Sequence, residues 1–214
     1  IFCLSSCIYP CNPSRFPMDE SMIHESPPHH SNEGYAYAKR MLELQCRQYN
    51  KAYGSEYICV IPVNLYGPYD NFSIKNGHVI PAIMNRFHGE KAKKDGKFTV
   101  YGTGKAYRQF LFAKDFAKIM CDVLLDNKYD NTEPLICCND ETTIKEMVGS
   151  LADAMDISKD KLEWDTNKSD GCMKKTVDNS KLCKYYPGFK FTSLQDGLKE
   201  TYKWFCDNQN TLRQ

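Results

Sequence analysis

The sequence predicts an α/β fold built on a doubly wound parallel sheet, and three observations predict it. Apolar strand-like runs alternate with helix-like stretches along the chain. The run from Tyr57 to Val63, inside "YICVIPVNLYGP", is apolar without alternation, as a strand covered on both faces must be. Between it and the opening apolar run lies a helical stretch with a polar start and a glycine stop.

Each element has a local reason. Ile1 to Leu4 is a short apolar run bounded by serines and reads as the end of a buried strand. Residues 9 to 33 are rich in Pro, Ser, Asn and His and predict a long loop, which at that length is usually functional or mobile. His29 and His30 belong to its surface. Ser31 or Asn32 caps the next helix, Ala38, Met41, Leu42, Cys46 and Tyr49 predict its buried stripe, and Gly54 ends it. The strand Tyr57 to Val63 leads into a turn at Gly67-Pro68. A helix from about His78 to His88 tolerates Pro81 in its first turn. Then follow a strand at Phe98 to Tyr101, a helix at Asp115 to Leu125, a strand at Leu135 to Cys138 and a helix at Ile144 to Met155. "KLEW" predicts one more strand, and a last helix runs from Ser193 to about Asp207.

Composition narrows the function. The 214 residues suffice for one domain with a lobe. With 28 basic and 27 acidic residues the net charge is +1, so no nucleic-acid partner is expected, and the run Glu90 to Lys97 reads as solvated surface. No apolar run approaches the roughly 18 residues of a membrane span, so no membrane partner is expected. Eleven cysteines, an odd number without CxxC, suit reduced thiols in a cytoplasmic protein. Cys3, Cys7 and Cys11 are evenly spaced, yet no further ligands stand at zinc-like spacing, so no metal is expected. "IFCLSSCIY" is too short, and lacks the basic flank, for a secretory signal. The chain opens in mid-strand without an initiator methionine, and the sheet is expected to be incomplete at its N-terminal side.

Tyr35-x-x-x-Lys39 pairs a phenol with an ammonium one helical turn away. The pattern alone carries little weight, since it recurs at Tyr101/Lys105 and Tyr186/Lys190. Only the first lies on a capped helix. A nearby cation favours a phenolate, which makes such a pair a proton donor or acceptor; a packed tyrosine beside a surface lysine is the alternative. Ser5-Ser6 ends the preceding strand and "PVNLYGP" the following one, both at the carboxyl edge where such sheets bind ligands.

In order, SSC, YxxxK, PxNLYGP, NGHVIPA and YGTG…RQF make the chain resemble the extended short-chain dehydrogenase/reductases that act on nucleotide sugars, over all 214 residues. Within them it is similar to the bifunctional 3,5-epimerase-4-reductases of GDP-4-keto-6-deoxymannose. The resemblance implies a Rossmann-like sheet in residues 1–72 and 112–140, with a smaller substrate-binding lobe mainly in 73–111 and 141–214. It implies NADP(H) as cofactor, a GDP-sugar as substrate and a homodimer. It assigns catalysis to Ser5, Cys7, Tyr35, Lys39 and His78. Cys7 and His78 match the base and acid that invert two centres, for which a thiol and an imidazole suit because their ordinary pKa values straddle neutrality. Leu4, Ser5, Ser6, Tyr35, Lys39, Pro62, Val63, Asn64, Leu65 and His78 match the cofactor side. Asn64, Arg86, Tyr101, Arg108, Asp170 and Lys175 match substrate positions, with Tyr101 where bacterial members carry tryptophan. The family's Gly-rich pyrophosphate loop is not found, and "YGTGK" lacks its third glycine. A 4,6-dehydratase, a 4-epimerase and a non-catalytic binding subunit stay open as alternatives.

Overall fold

Strand and helix alternate along residues 1–93, 96–126, 128–131 and 133–213, which this computed structural model describes. The elements are β1 (Phe2–Cys3), α1 (Glu33–Tyr53), β2 (Cys59–Pro62), β3 (Asn64–Tyr66), α2 (Val79–Lys91), β4 (Phe98–Tyr101) and β5 (Tyr107–Phe112). They continue with α3 (Ala113–Leu125), β6 (Leu135–Cys137), β7 (Glu141–Thr143), α4 (Ile144–Ala154), β8 (Leu162–Asp165), α5 (Ser180–Tyr185) and α6 (Leu194–Asp207). The chain divides into two units: Ile1–Asn64, Lys114–Asp140 and Lys175–Lys190 form the first, and Leu65–Ala113, Glu141–Lys174 and Phe191–Gln214 the second.

In the first unit β1, β2 and β6 make a sheet in the order β1–β2–β6, parallel throughout. All four residues of β2 are buried, which is why the run lacks alternation. The strand is shorter than the expected Tyr57 to Val63. The Asn50 side chain takes both backbone groups of Tyr57, donating to its carbonyl at 2.8 Å and accepting its N–H at 2.9 Å, and so closes the strand entrance. Leu4 N–H donates to Val60 O at 2.7 Å and prolongs the ladder beyond β1.

Helix α1 ends at Gly54, whose φ of 64° needs no Cβ. Its start differs from expectation. Neither Ser31 nor Asn32 supplies a side-chain cap; a 3-10 turn, His30–Asn32, feeds the helix, and His29 Nδ1 accepts the Ser31 N–H. Its buried face differs too. Ala36, Arg40, Glu43 and Cys46 are buried, whereas Ala38, Met41 and Tyr49 are exposed and Leu42 half-buried. Polar side chains win the inner face because the neighbouring turns present groups that need them. Arg40 Nε donates to Ile8 O at 2.7 Å and its terminal nitrogen to Ser26 O at 2.8 Å, while Glu43 takes His24 and Arg47, each at 2.9 Å. The loop 9–33 is therefore pinned. It holds a second 3-10 turn, Glu20–His24, and buries Met18, Met22 and Ile23.

In the second unit β3, β5 and β7 form a sheet, with β5 and β7 antiparallel, and β4 pairs with β8 in parallel. Phe72, Met84, Phe87, Met147, Leu151 and Phe205 are fully buried in its core. A capping box starts α4: Thr143 Oγ1 accepts from Glu146 N–H, and the Glu146 carboxylate accepts from Thr143 N–H. β5 and β7 were not anticipated. In the run Glu90 to Lys97, Lys93 pairs with Glu90 and exposed Lys97 with Glu163; positions 94 and 95 lie outside the described residues.

Candidate active site

At the carboxyl end of β1 the chain turns at once. Ser5, extended at φ −161°, caps the 3-10 turn Ser6–Ile8, and its Oγ accepts the Cys7 N–H at 3.2 Å. That contact fixes the half-buried Cys7 beside the strand end. Asn32 Nδ2 lies 3.8 Å from Cys7 Sγ, within donating distance of sulfur. Lys39, two turns into α1, donates from Nζ to Cys3 O at 2.8 Å, and the same ammonium sits 5.8 Å from the centre of the Tyr35 ring. Tyr35 is exposed, and among the described residues its hydroxyl makes no hydrogen bond. Ser5, Cys7, Lys39 and Tyr35 thus gather where β1 meets α1.

Other positions matched to the cofactor vary in accessibility. Leu4, Ser6, Pro62 and Val63 are buried, Leu65 is half-buried and Asn64 exposed. Lys175 is half-buried in the first unit. Beneath the Cys7 turn, Tyr9 is buried with no hydrogen-bond partner for its hydroxyl among the described residues, and burial pushes its phenol far above the ordinary value. Glu20 Oε1 accepts the Ile136 N–H of β6 at 3.3 Å; burial raises this carboxyl, opposed in part by that hydrogen bond and by Lys181.

The second unit carries another group. His78 is the backbone N-cap of α2, exposed and without a side-chain cap bond. The turn before it is tightly tied: Asn71 N–H donates to Asp70 Oδ1 at 2.7 Å, Ser73 N–H to Asn71 Oδ1 at 3.0 Å, and Gly77 N–H to Ser73 O at 2.8 Å. A Cβ on Gly77 would lie 2.5 Å from both Asn71 O and Ser73 O, so only glycine allows this path to His78. Two turns along α2, the Arg86 guanidinium centre lies 4.7 Å from the Tyr101 ring, and its Nε is buried with no partner among the described residues. Half-buried Arg108 donates to Tyr107 O at 2.7 Å, and burial lowers its pKa from the usual arginine value.

Asp170 uses both carboxylate oxygens on Thr103, accepting its N–H at 2.7 Å and its hydroxyl at 2.8 Å. The Thr103 hydroxyl holds this carboxyl below the usual range. Gly102 makes room, for at its φ of 87° a Cβ would lie 2.4 Å from Asp170 Oδ1. Sequence reasoning missed Thr103, Asn32, Arg40 and Lys168, whose Nζ is 6.0 Å from the Tyr101 ring. For Lys168 the only available signal was its place in the "KSDG" stretch that already supplied Asp170. All eleven cysteines are free, and no group of three metal-capable side chains occurs among the described residues.

The model of the NAD dependent epimerase/dehydratase family matches residues 1–135. The chain belongs to this family. Among its relatives, the GDP-L-fucose synthase of Dictyostelium discoideum is 44% identical over 216 residues, covering 100% of this chain and 66% of the relative. The GDP-L-fucose synthase of Escherichia coli K12 is 36% identical over 221 residues, covering 100% and 68%. A crystal structure of a GDP-L-fucose synthetase from Naegleria fowleri bound to NADP superposes with a TM-score of 0.90 at 37% identity, covering 99% of this chain and 67% of that one. The chain therefore spans about two thirds of the length of these epimerase/dehydratase relatives. The parallel sheet and crossover helices of the first unit are the Rossmann-like part that the family's fold requires.

Proposed function

We propose that this chain carries the chemistry of a GDP-L-fucose synthase, the 3,5-epimerisation and NADPH-dependent 4-reduction of GDP-4-keto-6-deoxy-D-mannose to GDP-L-fucose. The 44% identity to the Dictyostelium enzyme across 100% of this chain supports the reading above all. The first unit serves the cofactor side and the second the nucleotide sugar. Carbons beside a ketone lose protons readily once the oxygen is held by donors. Ser5 Oγ already accepts the Cys7 N–H, so its hydroxyl proton remains to donate to that oxygen. Tyr35 is the second donor. Cys7 and His78 remove and return protons on opposite faces of the sugar, inverting both centres. Tyr35, beside the Lys39 ammonium, then protonates the alkoxide.

NADPH, when bound, supplies the hydride to the ketone carbon. The residues present fit its nicotinamide ribose: Lys39 Nζ uses one proton on Cys3 O and keeps two for ribose hydroxyls. Arg86 and Arg108 receive the nucleotide diphosphate, and the exposed Tyr101 ring offers a stacking surface. The protein works as a cytoplasmic homodimer through the outer face of α1, where Met41, Tyr49 and Tyr53 are 54%, 51% and 75% exposed.

Turnover in deuterated buffer tests the reading. Deuterium should enter both carbons beside the ketone, and Cys7→Ser should slow that exchange about 100-fold or more while NADPH binding is kept. Exchange at the parental rate in Cys7→Ser would remove the thiol from the mechanism.

A further inference from the structure

We propose that Lys168 is a further diphosphate-binding cation of the nucleotide-sugar lobe, and that Asp170 is the residue positioning it. The proposal rests on the preceding reading of the second unit and adds to it a residue and a division of labour.

Two cations share one ring. The Arg86 guanidinium centre is 4.7 Å from the Tyr101 centroid, and Lys168 Nζ is 6.0 Å from the same point. Among the described residues neither side chain makes a hydrogen bond or a salt bridge. An aromatic face attracts a cation without neutralising it, and Glu90, the carboxylate that feels the Arg86 charge, is itself paired with Lys93, so the two cations still repel each other. A ligand with two linked negative charges removes that repulsion. A nucleoside diphosphate has that form, with the guanidinium gripping one phosphate by its fork and the ammonium meeting the other as a point charge.

The lysine is held at both ends of its segment. On one side Lys168 N–H donates to Asp165 O at 3.2 Å, and Asn167 N–H to Asp165 Oδ1 at 3.2 Å. On the other, Gly171 N–H donates to Ser169 Oγ at 3.0 Å, and Asp170 is bonded through both oxygens to Thr103, two residues after Tyr101. Tyr107 N–H then donates to Met173 O at 2.8 Å, tying the segment to β5. Asp170 accepts one Thr103 hydrogen bond on each carboxylate oxygen. It acts by fastening residues 165–174 to the Tyr101 turn, which brings Lys168 to the ring.

Calorimetric titration of the full chain with GDP and with inorganic pyrophosphate tests this. Lys168→Gln should weaken both ligands about tenfold, Lys168→Arg should recover to within about threefold, and kcat should hold while KM rises. Asp170→Asn should weaken pyrophosphate too, but not further when Lys168→Gln is already present. Pyrophosphate affinity within twofold of the parent in Lys168→Gln, or no pyrophosphate binding by the parent, overturns the proposal. Full additivity of the two substitutions overturns the positioning role. If no GDP-L-fucose forms yet the pyrophosphate loss is seen, the reaction reading falls and Lys168 stands; if turnover is intact and the loss is absent, Lys168 alone falls.

Discussion

Replacing Arg40 with methionine isolates the link between α1 and the turn that carries Cys7. The side chain is 7% exposed, and its two bonds, 2.7 Å to Ile8 O and 2.8 Å to Ser26 O, join three segments distant in sequence. Methionine keeps most of the stem's packing and removes the guanidinium. A hydrogen bond from a charged donor contributes about 1.5–3 kcal/mol, so the two bonds set an upper limit of about 3–6 kcal/mol. The cost of burying the cation, the cause that lowers the Arg40 pKa, offsets part of this. The two orphaned carbonyls work the other way. A net loss of about 2–4 kcal/mol should follow, read as a lower urea midpoint at unchanged slope. Because Ile8 is the residue after Cys7, the loosened turn should also lower kcat, with KM for the GDP-sugar held. A loss below about 0.5 kcal/mol with parental kcat would refute the argument that this arginine anchors the Cys7 turn.

Two further substitutions probe other parts of the structure. Gly102→Ala places a side chain at φ 87° and 2.4 Å from Asp170 Oδ1, so a loss of about 1–3 kcal/mol in urea unfolding and a raised KM for the GDP-sugar are expected together. Glu20→Gln tests a half-buried carboxyl whose pKa is raised: the favourable contribution is present below the unfolded value and lost as pH rises through the folded one. Glutamine still accepts from Ile136 N–H, so the variant should melt at the parental temperature in acid and above it at pH 7.5, and a difference independent of pH would discount the half-buried charge.

What could be read from the sequence was what neighbouring residues decide. The Gly54 stop, the Phe98 to Tyr101 strand and the core run of β2 depend on local chain geometry and burial pattern, and they stand where expected within a residue or two. The inner face of α1 was misjudged because Arg40 and Glu43 are satisfied only by Ile8, His24 and Ser26, partners supplied by turns distant in sequence. β5 was not legible because "YRQF" opens with polar residues and its partner, β7, is distant in sequence. In the candidate site, the strand end before Ser5-Ser6 and the helix carrying Tyr35 and Lys39 were legible, whereas the Ser5-capped turn at Cys7 was not. Lys168 was not, because its significance arises only when β8 and its following segment fold beside Tyr101.

The assignment of segments to units has a consequence for how the molecule can be made and dissected. Neither body is contiguous: the polypeptide crosses from one to the other after residues 64, 113, 140, 174 and 190. No single cleavage or truncation point yields either body whole, so a limited digest should release fragments of each rather than autonomous halves. During synthesis the strand at Cys59–Pro62 must wait for Leu135–Cys137 to leave the ribosome before that edge is covered. Such distant pairing favours slow acquisition of the native state, and a chaperone would have an unfinished apolar edge to hold meanwhile.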